Sequence, residues 1–216
     1  MTVVAIDGPA GAGKSTVARG AADALGFDYL DTGAMYRAVA LAALERGIDL
    51  DDEAALGELA SSLDVDVDGR SVRLHGRDVA DRIREPDVTE AVSKVSAHPS
   101  VRAAMVAQQR VMGARKDVVI EGRDIGTTVF PDAEVKIFLT ASLDERARRR
   151  CEDLGLPCDA ITIASVKASI AERDQADSER ASSPLRRPTD AHEVDTTDLT
   201  TQQVIDSIVR AVRQRG

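Results

Sequence analysis

A glycine-rich segment near the amino terminus carries the most specific chemistry in this sequence. Its letters GPAGAGKST satisfy the pattern G-x-x-x-x-G-K-[ST]. Glycines at these positions let backbone N–H groups converge on a phosphate, and the amino terminus of a following helix adds its dipole. Lys14 would reach the β and γ phosphates of a nucleotide, and the Ser15 hydroxyl would ligate Mg²⁺. The residues expected to bind ATP are therefore Gly8, Pro9, Ala10, Gly11, Ala12, Gly13, Lys14, Ser15 and Thr16.

A phosphate loop of this kind is shared by GTPases, motor ATPases and small-molecule kinases, so other residues must separate these classes. GTPases read guanine with an N-K-x-D element, and this sequence contains no Asn. Its two D-x-x-G matches, at Asp23 and Asp66, do not follow a predicted core strand. These observations favour a kinase.

Charged side chains recur in four further segments that are predicted to lie on loops beside a sheet. The segments are residues 31–37 (DTGAMYR), residues 121–127 (EGRDIGT), the pair Ser93 and Arg102 around the His98-Pro99 break, and residues 172–180 (ERDQADSER). In the last of these, Arg173, Asp177 and Arg180 recur at i, i+4 and i+7, which predicts one helical face. Each segment alone is better explained by surface ion pairing. Together with the phosphate loop, they indicate a phosphorylated acceptor that faces ATP.

Four longer strings follow the phosphate loop in a characteristic order: DTGAMYR, EGRDIGTTVFPDA, VKIFLTAS and ERDQADSER. They resemble the bacterial cytidylate kinase family, the nucleoside monophosphate kinases for CMP and dCMP, over essentially the whole chain. The resemblance implies an α/β fold: a P-loop NTPase core with a five-stranded parallel sheet, a monophosphate-binding insertion and an arginine-bearing lid. It also implies Mg²⁺-dependent transfer of the γ-phosphoryl group of ATP to CMP or dCMP in pyrimidine metabolism.

The same resemblance implies a role for individual residues. The residues it makes catalytic are Lys14, Arg123, Arg173 and Arg180. The residues it places on CMP are Thr32, Tyr36, Arg37, Ser93, Arg102, Arg123, Asp124, Arg173 and Asp177. Arg37 and Arg123 would hold the acceptor phosphate, with Thr32 and Tyr36 beside it. Cytosine would be read by Ser93, Arg102 and Asp124.

The remaining assignments concern the lid and two departures from the family pattern. Asp177, with Arg173 nearby, would contact the sugar hydroxyls, while Arg173 and Arg180 would approach the phosphoryl group in transfer. Thr32 stands where many relatives carry Ser, and it keeps the hydroxyl. Ala10 also replaces a common Ser but has no hydroxyl, so we expect no side-chain role for it.

Apolar spacing predicts the elements that position these residues. Strands are predicted at residues 2–6, 118–120 and 135–139, and helices at residues 14–25 and 33–46. Gly26 and Gly47 follow these helices as stop signals. Capping boxes at 142–145 and 200–203 predict two further helix starts. Strands separated by helices indicate right-handed βαβ units and a parallel sheet with helices on both faces.

An alternating pattern around Asp68-Gly69 interrupts this arrangement and predicts an antiparallel hairpin within residues 64–80. We divide the chain into a first core segment (1–46), an α+β monophosphate-binding insertion (47–97), a second core segment (98–143), a helical lid (144–183) and a C-terminal core strand and helix (184–216). The lid segment is arginine-rich and poor in large apolar groups. That composition fits a mobile lid and a solvated helical hairpin equally well.

Composition narrows the classes further. The 216 residues carry a formal net charge of −9, which lacks the basic field of a duplex-DNA binder. The first apolar run ends at Asp7, so we expect no signal peptide. No stretch approaches the roughly 18 apolar residues that a membrane helix needs, so we expect no membrane segment. Cys151 and Cys158 have no zinc-site spacing and indicate a reducing compartment. We expect a cytoplasmic monomer whose partners are ATP, CMP and dCMP, without nucleic acid or membrane.

Two alternatives remain open at this stage. One is another small P-loop kinase whose acceptor is UMP or shikimate. The other is a nucleotide-binding regulatory protein that keeps the phosphate loop without turnover. An assay of ADP formation with a panel of acceptors would distinguish a kinase for UMP or shikimate from one for CMP. Steady formation of ADP that depends on CMP would exclude the regulatory protein.

Overall fold

The computed structural model describes residues 1–69 and 71–215. Its β-strands are β1 (Val3–Asp7), β2 (Asp28–Asp31), β3 (Val65–Asp68), β4 (Ser71–Leu74), β5 (Arg77–Asp78), β6 (Val118–Glu121), β7 (Val135–Thr140) and β8 (His192–Asp195). Its α-helices are α1 (Lys14–Leu25), α2 (Thr32–Glu45), α3 (Glu53–Ser62), α4 (Pro86–Val95), α5 (Pro99–Gly113), α6 (Leu143–Asp153), α7 (Ala160–Glu179) and α8 (Thr201–Arg213). Arg70, within the predicted hairpin, and Gly216, at the end of the last predicted segment, lie outside the described residues.

The centre of the fold is a five-stranded parallel sheet in the order β2-β6-β1-β7-β8. Side chains of β1 alternate between two apolar clusters, with Val3 and Ala5 in one and Val4 and Ile6 in the other. This alternation follows from the two-residue period of a strand, and helices cover both faces. The predicted five-stranded P-loop core is confirmed.

The second strand, β2, was not among the strands predicted from apolar spacing. It has only four residues, DYLD, and an Asp at each end, so its apolar signal is two residues long. Its position is set by pairing with β6, where Tyr29 lies opposite Val119 and Leu30 opposite Ile120. Long-range pairing therefore supplies what the local pattern lacks.

The predicted hairpin is confirmed in the insertion, where Val65 pairs with Leu74 and Val67 with Val72 in antiparallel register. The short strand β5 extends this sheet. Helix α4 packs on α2, and α3 packs on α5. The insertion thus shares one apolar cluster with the flanking core helices.

Helices α6 and α7 pack on each other and form the predicted helical hairpin. Of the residues in α7, only Ile170 is buried. The predicted capping box at the start of α6 is half present: the Ser142 hydroxyl accepts from the Glu145 amide, but the Glu145 carboxylate pairs with Arg148 and Arg149. The second predicted box, Thr200 with Gln203, is complete. Along the described chain, no helix is both long and apolar enough to cross a bilayer.

Candidate active site

The phosphate loop connects β1 to α1, as the sequence predicts. Helix α1 begins after Gly13, which has a φ of 85° and no side chain, so the first amide groups of the helix receive no side-chain cap from it. Gly8 has a φ of 148°, and a Cβ atom there would lie 2.1 Å from the Leu139 carbonyl oxygen. Only glycine allows the loop to pass this close to β7.

Lys14 lies buried at the first position of α1, where its Nζ donates to the Pro9 carbonyl at 2.7 Å across the loop. Burial, together with the positive charge of Arg123, lowers the pKa of Lys14 to about 7. Glu121 and Asp7 oppose this shift, and Arg173 adds to it. The Lys14 side chain therefore lies among both cations and carboxylates, and burial has the largest effect on its pKa.

Two buried carboxylates beside Lys14 were missed by the sequence analysis. Asp7, the last residue of β1, accepts from the amides of Ile125 and Gly126, each at 2.8 Å, and burial raises its pKa to about 6. Glu121, the last residue of β6, accepts from the Tyr29 hydroxyl at 2.6 Å. Burial raises the pKa of Glu121 as well. An acidic residue that ends a buried strand is the signal that would have found both.

A buried ion pair lies where the sequence places recognition of the acceptor base. Arg102 on α5 donates from Nη2 to Asp124 Oδ2 at 2.6 Å, and the exposures of the two side chains are 2% and 6%. The Arg102 guanidinium also lies over the Tyr36 ring, 5.2 Å from its centroid. The structure therefore brings together three residues that are 88 positions apart at most in the sequence.

Residues at the C-terminal end of α7 contribute a second set of charged contacts. Arg123 Nε donates to Asp177 Oδ2 at 2.8 Å. Arg180 is the residue after the end of α7, so the predicted single helical face holds only Arg173 and Asp177. Arg180 donates to Asp177 at 3.4 Å and to Asp124 at 3.5 Å. Arg180 thus links Asp177 of α7 to the buried Arg102–Asp124 pair.

Three predicted acceptor-binding residues occupy different environments. The Thr32 hydroxyl donates to the Glu121 carbonyl at 2.6 Å and is buried, so it joins α2 to β6. Arg37 is anchored to the insertion by bonds to the Ile83 carbonyl at 3.2 Å and the Thr89 hydroxyl at 2.8 Å. Ser93 is exposed on α4.

Several buried donors around these residues have no hydrogen-bond partner within the described part of the chain. They are the Tyr36 hydroxyl, Arg102 Nε, Arg173 Nε and Gln109 Nε2. Buried polar atoms without partners are rare in proteins, and a bound polar ligand is one way to satisfy them. Gln109 was missed by the sequence analysis, although it follows Arg102 by seven positions on α5 and so shares its face.

Helix α6 provides two arginines that the sequence analysis also missed. Arg149 donates from Nη2 to the Thr196 carbonyl at 2.7 Å, and Arg146 donates to the Ala10 carbonyl at 3.0 Å. Both contacts place guanidinium groups against the phosphate loop or the loop after β8. The repeated arginines of the string ERARRR carry no local signal that separates these two from the exposed Arg148.

The chain is similar to known proteins over nearly its whole length. A family profile described as Cytidylate kinase matches residues 4–214. The chain belongs to the cytidylate kinase family. It is 50% identical over 211 residues to a cytidylate kinase of Caldanaerobacter subterraneus subsp. tengcongensis, covering 98% of this chain and 94% of that one. Against a cytidylate kinase of Bacillus subtilis the identity is 48% over 217 residues, covering 99% and 97%.

Two further matches to this cytidylate kinase family member are more limited, one in the share of the other protein that is covered and one in sequence identity. A bifunctional pantoate ligase/cytidylate kinase of Synechocystis is 48% identical over 221 residues, and the match covers 99% of this chain but 43% of that protein. A gluconokinase of Sinorhizobium meliloti superposes with a TM-score of 0.54 at 14% identity, covering 99% and 92% of the two chains. The latter likeness concerns the fold alone.

Proposed function

We propose that the protein transfers the γ-phosphoryl group of ATP to CMP or dCMP, which yields ADP and CDP or dCDP. The buried Arg102–Asp124 pair carries this proposal, because its 2.6 Å contact places a cation and an anion side by side at the acceptor end. Cytosine offers an amine donor beside two ring acceptors, and such a pair matches both kinds of group. Membership of the cytidylate kinase family supports the same substrates.

Phosphoryl transfer places negative charge on the transferring group, so positioned cations are the main requirement. Lys14, Arg123 and Arg173 lie near one another and supply that charge. A phosphate oxygen of the monophosphate attacks the γ-phosphorus in line while the bond to the leaving ADP breaks, and no covalent enzyme intermediate is needed. A closed lid excludes water, which would otherwise accept the phosphoryl group and hydrolyse ATP.

The residues beside the phosphate loop fit a bound Mg²⁺. Mg²⁺ prefers oxygen ligands and usually keeps several waters while it binds one or two carboxylates and substrate phosphates. Asp7 and Glu121 are buried carboxylates next to the loop, and the Ser15 hydroxyl lies against Glu121. Ser15 and these acids would hold the ion, which when bound neutralises charge on the β and γ phosphates.

We further propose that residues 47–97 bind the monophosphate and that residues 144–183 move as a lid. Arg37 supports the first assignment, because its bonds to Ile83 and Thr89 join the core to the insertion. The single buried residue of α7 supports the second, because little apolar contact holds that helix. Free thiols at Cys151 and Cys158 support a reducing, cytoplasmic setting, and we propose that the protein acts there as a monomer.

A coupled assay of ADP formation tests the proposed reaction. CMP and dCMP are expected to support turnover, and UMP, AMP, GMP and shikimate to support much less. Turnover with shikimate or UMP above that with CMP would overturn the proposal in favour of another small kinase. ADP formation that is absent with every acceptor would indicate a regulatory nucleotide-binding protein.

Arg180→Ala is expected to raise the KM for CMP about tenfold and to change kcat less. The reason is that Arg180 contacts Asp124 and Asp177, the two carboxylates that we propose to bind cytosine and the sugar, and so holds both in place. Loss of one charge-assisted hydrogen bond from a misplaced carboxylate to CMP, about 1.5 kcal/mol, corresponds to about tenfold. Steady-state kinetics with varied CMP measure the split, and Arg148→Ala, which removes a half-exposed lid arginine, is the control. A fall in kcat at unchanged KM would place Arg180 on the transferring phosphoryl group instead.

Binding of ATP at pH 8 is expected to take up close to one proton. The pKa of Lys14 is about 7 in the free protein, so most molecules carry a neutral amine at pH 8. A bound phosphate favours the ammonium form and raises that pKa. Calorimetric titration in two buffers of different ionisation enthalpy measures the uptake, and Lys14→Met is expected to abolish it. A heat independent of buffer at pH 8 would contradict this prediction.

A further inference from the structure

A carboxylate of the lid helix contacts the phosphate loop directly. Asp174 Oδ1 on α7 accepts from the Ala10 amide at 3.0 Å, and its Oδ2 accepts from the Arg146 guanidinium on α6. The same Arg146 nitrogen donates to the Ala10 carbonyl at 3.0 Å. Both backbone polar groups of Ala10 are therefore bound by one ion pair that joins two lid helices to the loop.

This ion pair is much more buried than the second ion pair that joins α6 to α7, between Asp144 and Lys167. The side chains of Arg146 and Asp174 are 10% and 18% exposed, whereas Asp144, paired with Lys167 across the same two helices, is 78% exposed. Charge-assisted hydrogen bonds are about twice as strong as neutral ones, and burial reduces screening by salt. A Cβ atom on Gly11 would lie 3.1 Å from the Arg146 Cβ, so α6 approaches the loop as closely as a glycine permits.

Asp174 also occupies a decisive position on its helix. It is adjacent to Arg173 and three residues before Asp177, so all three lie along one edge of α7. Because only Ile170 of α7 is buried, apolar packing contributes little to the rotation and height of this helix. Polar contacts must then fix the rotation and height of α7. Among the described residues, the contact of Asp174 with Ala10 is the hydrogen bond that joins α7 to the phosphate loop.

We propose that Asp174 is a positioning residue that docks α7 on the phosphate loop and thereby sets the placement of Arg173 and Asp177 during phosphoryl transfer. The expected effect on kcat rests on the proposed function, whereas the docking of α7 on the loop does not. Asp174 does not touch the reacting atoms in this role. It fixes the helix that carries a cation beside Lys14 and the carboxylate that pairs with Arg123.

Asp174→Ala in the full-length protein is expected to lower kcat for CMP about 10- to 100-fold, because small misplacement of a positioned group costs this much. ATP hydrolysis without acceptor is expected to rise relative to CMP phosphorylation, because a misplaced lid admits water. Asp174→Asn keeps an oxygen for the Ala10 amide but loses the charge that Arg146 binds, so we expect an intermediate effect. The control, Asp144→Asn, removes the exposed pair with Lys167 and is expected to stay within about twofold of wild type.

Amide hydrogen exchange of α7 provides a readout that does not depend on the acceptor. Asp174→Ala is expected to speed exchange in residues 172–179, and Asp144→Asn is not. Unchanged kcat, hydrolysis ratio and exchange in Asp174→Ala would overturn the inference, and so would equal losses in Asp144→Asn. A wild-type protein inactive with CMP would refute the proposed function alone, because faster exchange in Asp174→Ala would still establish the docking.

Discussion

Lys14→Met lowers kcat about 10²–10³-fold, the loss expected when one preorganised donor to a developing negative charge is removed. Lys14 is buried at the start of α1, between the carboxylates of Asp7 and Glu121 and the cations Arg123 and Arg173. Met has a similar length and no charge. The substitution therefore removes the electrostatic contribution and leaves the volume of the side chain nearly unchanged.

The same substitution is not expected to unfold the protein. Without a ligand, the Lys14 amine is partly neutral because burial lowers its pKa, and its contact is a single hydrogen bond to the Pro9 carbonyl. Thermal melting tests the fold, and Lys116→Met, which removes an exposed lysine paired with Asp28, is the kinetic control. Near-normal turnover in Lys14→Met, or a melting temperature far below that of wild type, would defeat the assignment.

Asp124→Asn narrows the preference for CMP over UMP about 10- to 100-fold and lowers kcat/KM for CMP. The Asp124 carboxylate would accept from the cytosine amine, while the Arg102 guanidinium donates to the ring acceptors. Uracil presents an oxygen to the carboxylate and an N–H to a guanidinium that cannot accept it. Each mismatched buried group costs about 1–3 kcal/mol, so the two together predict a wild-type preference of about 10² to 10⁴.

An amide at position 124 can turn its N–H donor toward the uracil oxygen. This is why we expect a smaller preference for CMP over UMP in Asp124→Asn. The measurement is kcat/KM for both substrates in wild type and in Asp124→Asn. The melting temperature of Asp124→Asn must also be measured, because the Arg102 side chain is 2% exposed and loses its counter-charge, which destabilises the fold. Asp66→Asn, an exposed acid on β3, is the control for a general effect of charge. An unchanged ratio would mean that other groups read the base.

The sequence by itself determined those features that depend on neighbours along the chain. The phosphate loop, the bounds of α1 and the hairpin that pairs Val65 with Leu74 each have a complete local signal. Glycines with positive φ, a 3.6-residue apolar period and a two-residue alternation are properties of short segments, so they can be recognised without the fold. The order of the charged strings also sufficed to identify the family.

Only the tertiary structure decided which polar groups are buried and what they contact. Asp144 on α6 and Asp174 on α7 both have an arginine or lysine partner, yet of these two only Asp174 contacts the phosphate loop. Their local patterns, a helix start around Asp144 and a charged helical segment around Asp174, do not specify which of the two reaches the loop. The desolvation that shifts the pKa of Asp7 and of Lys14 likewise comes from strands and helices distant in sequence. The burial of a side chain depends on every element that packs around it, so a local sequence pattern cannot specify it.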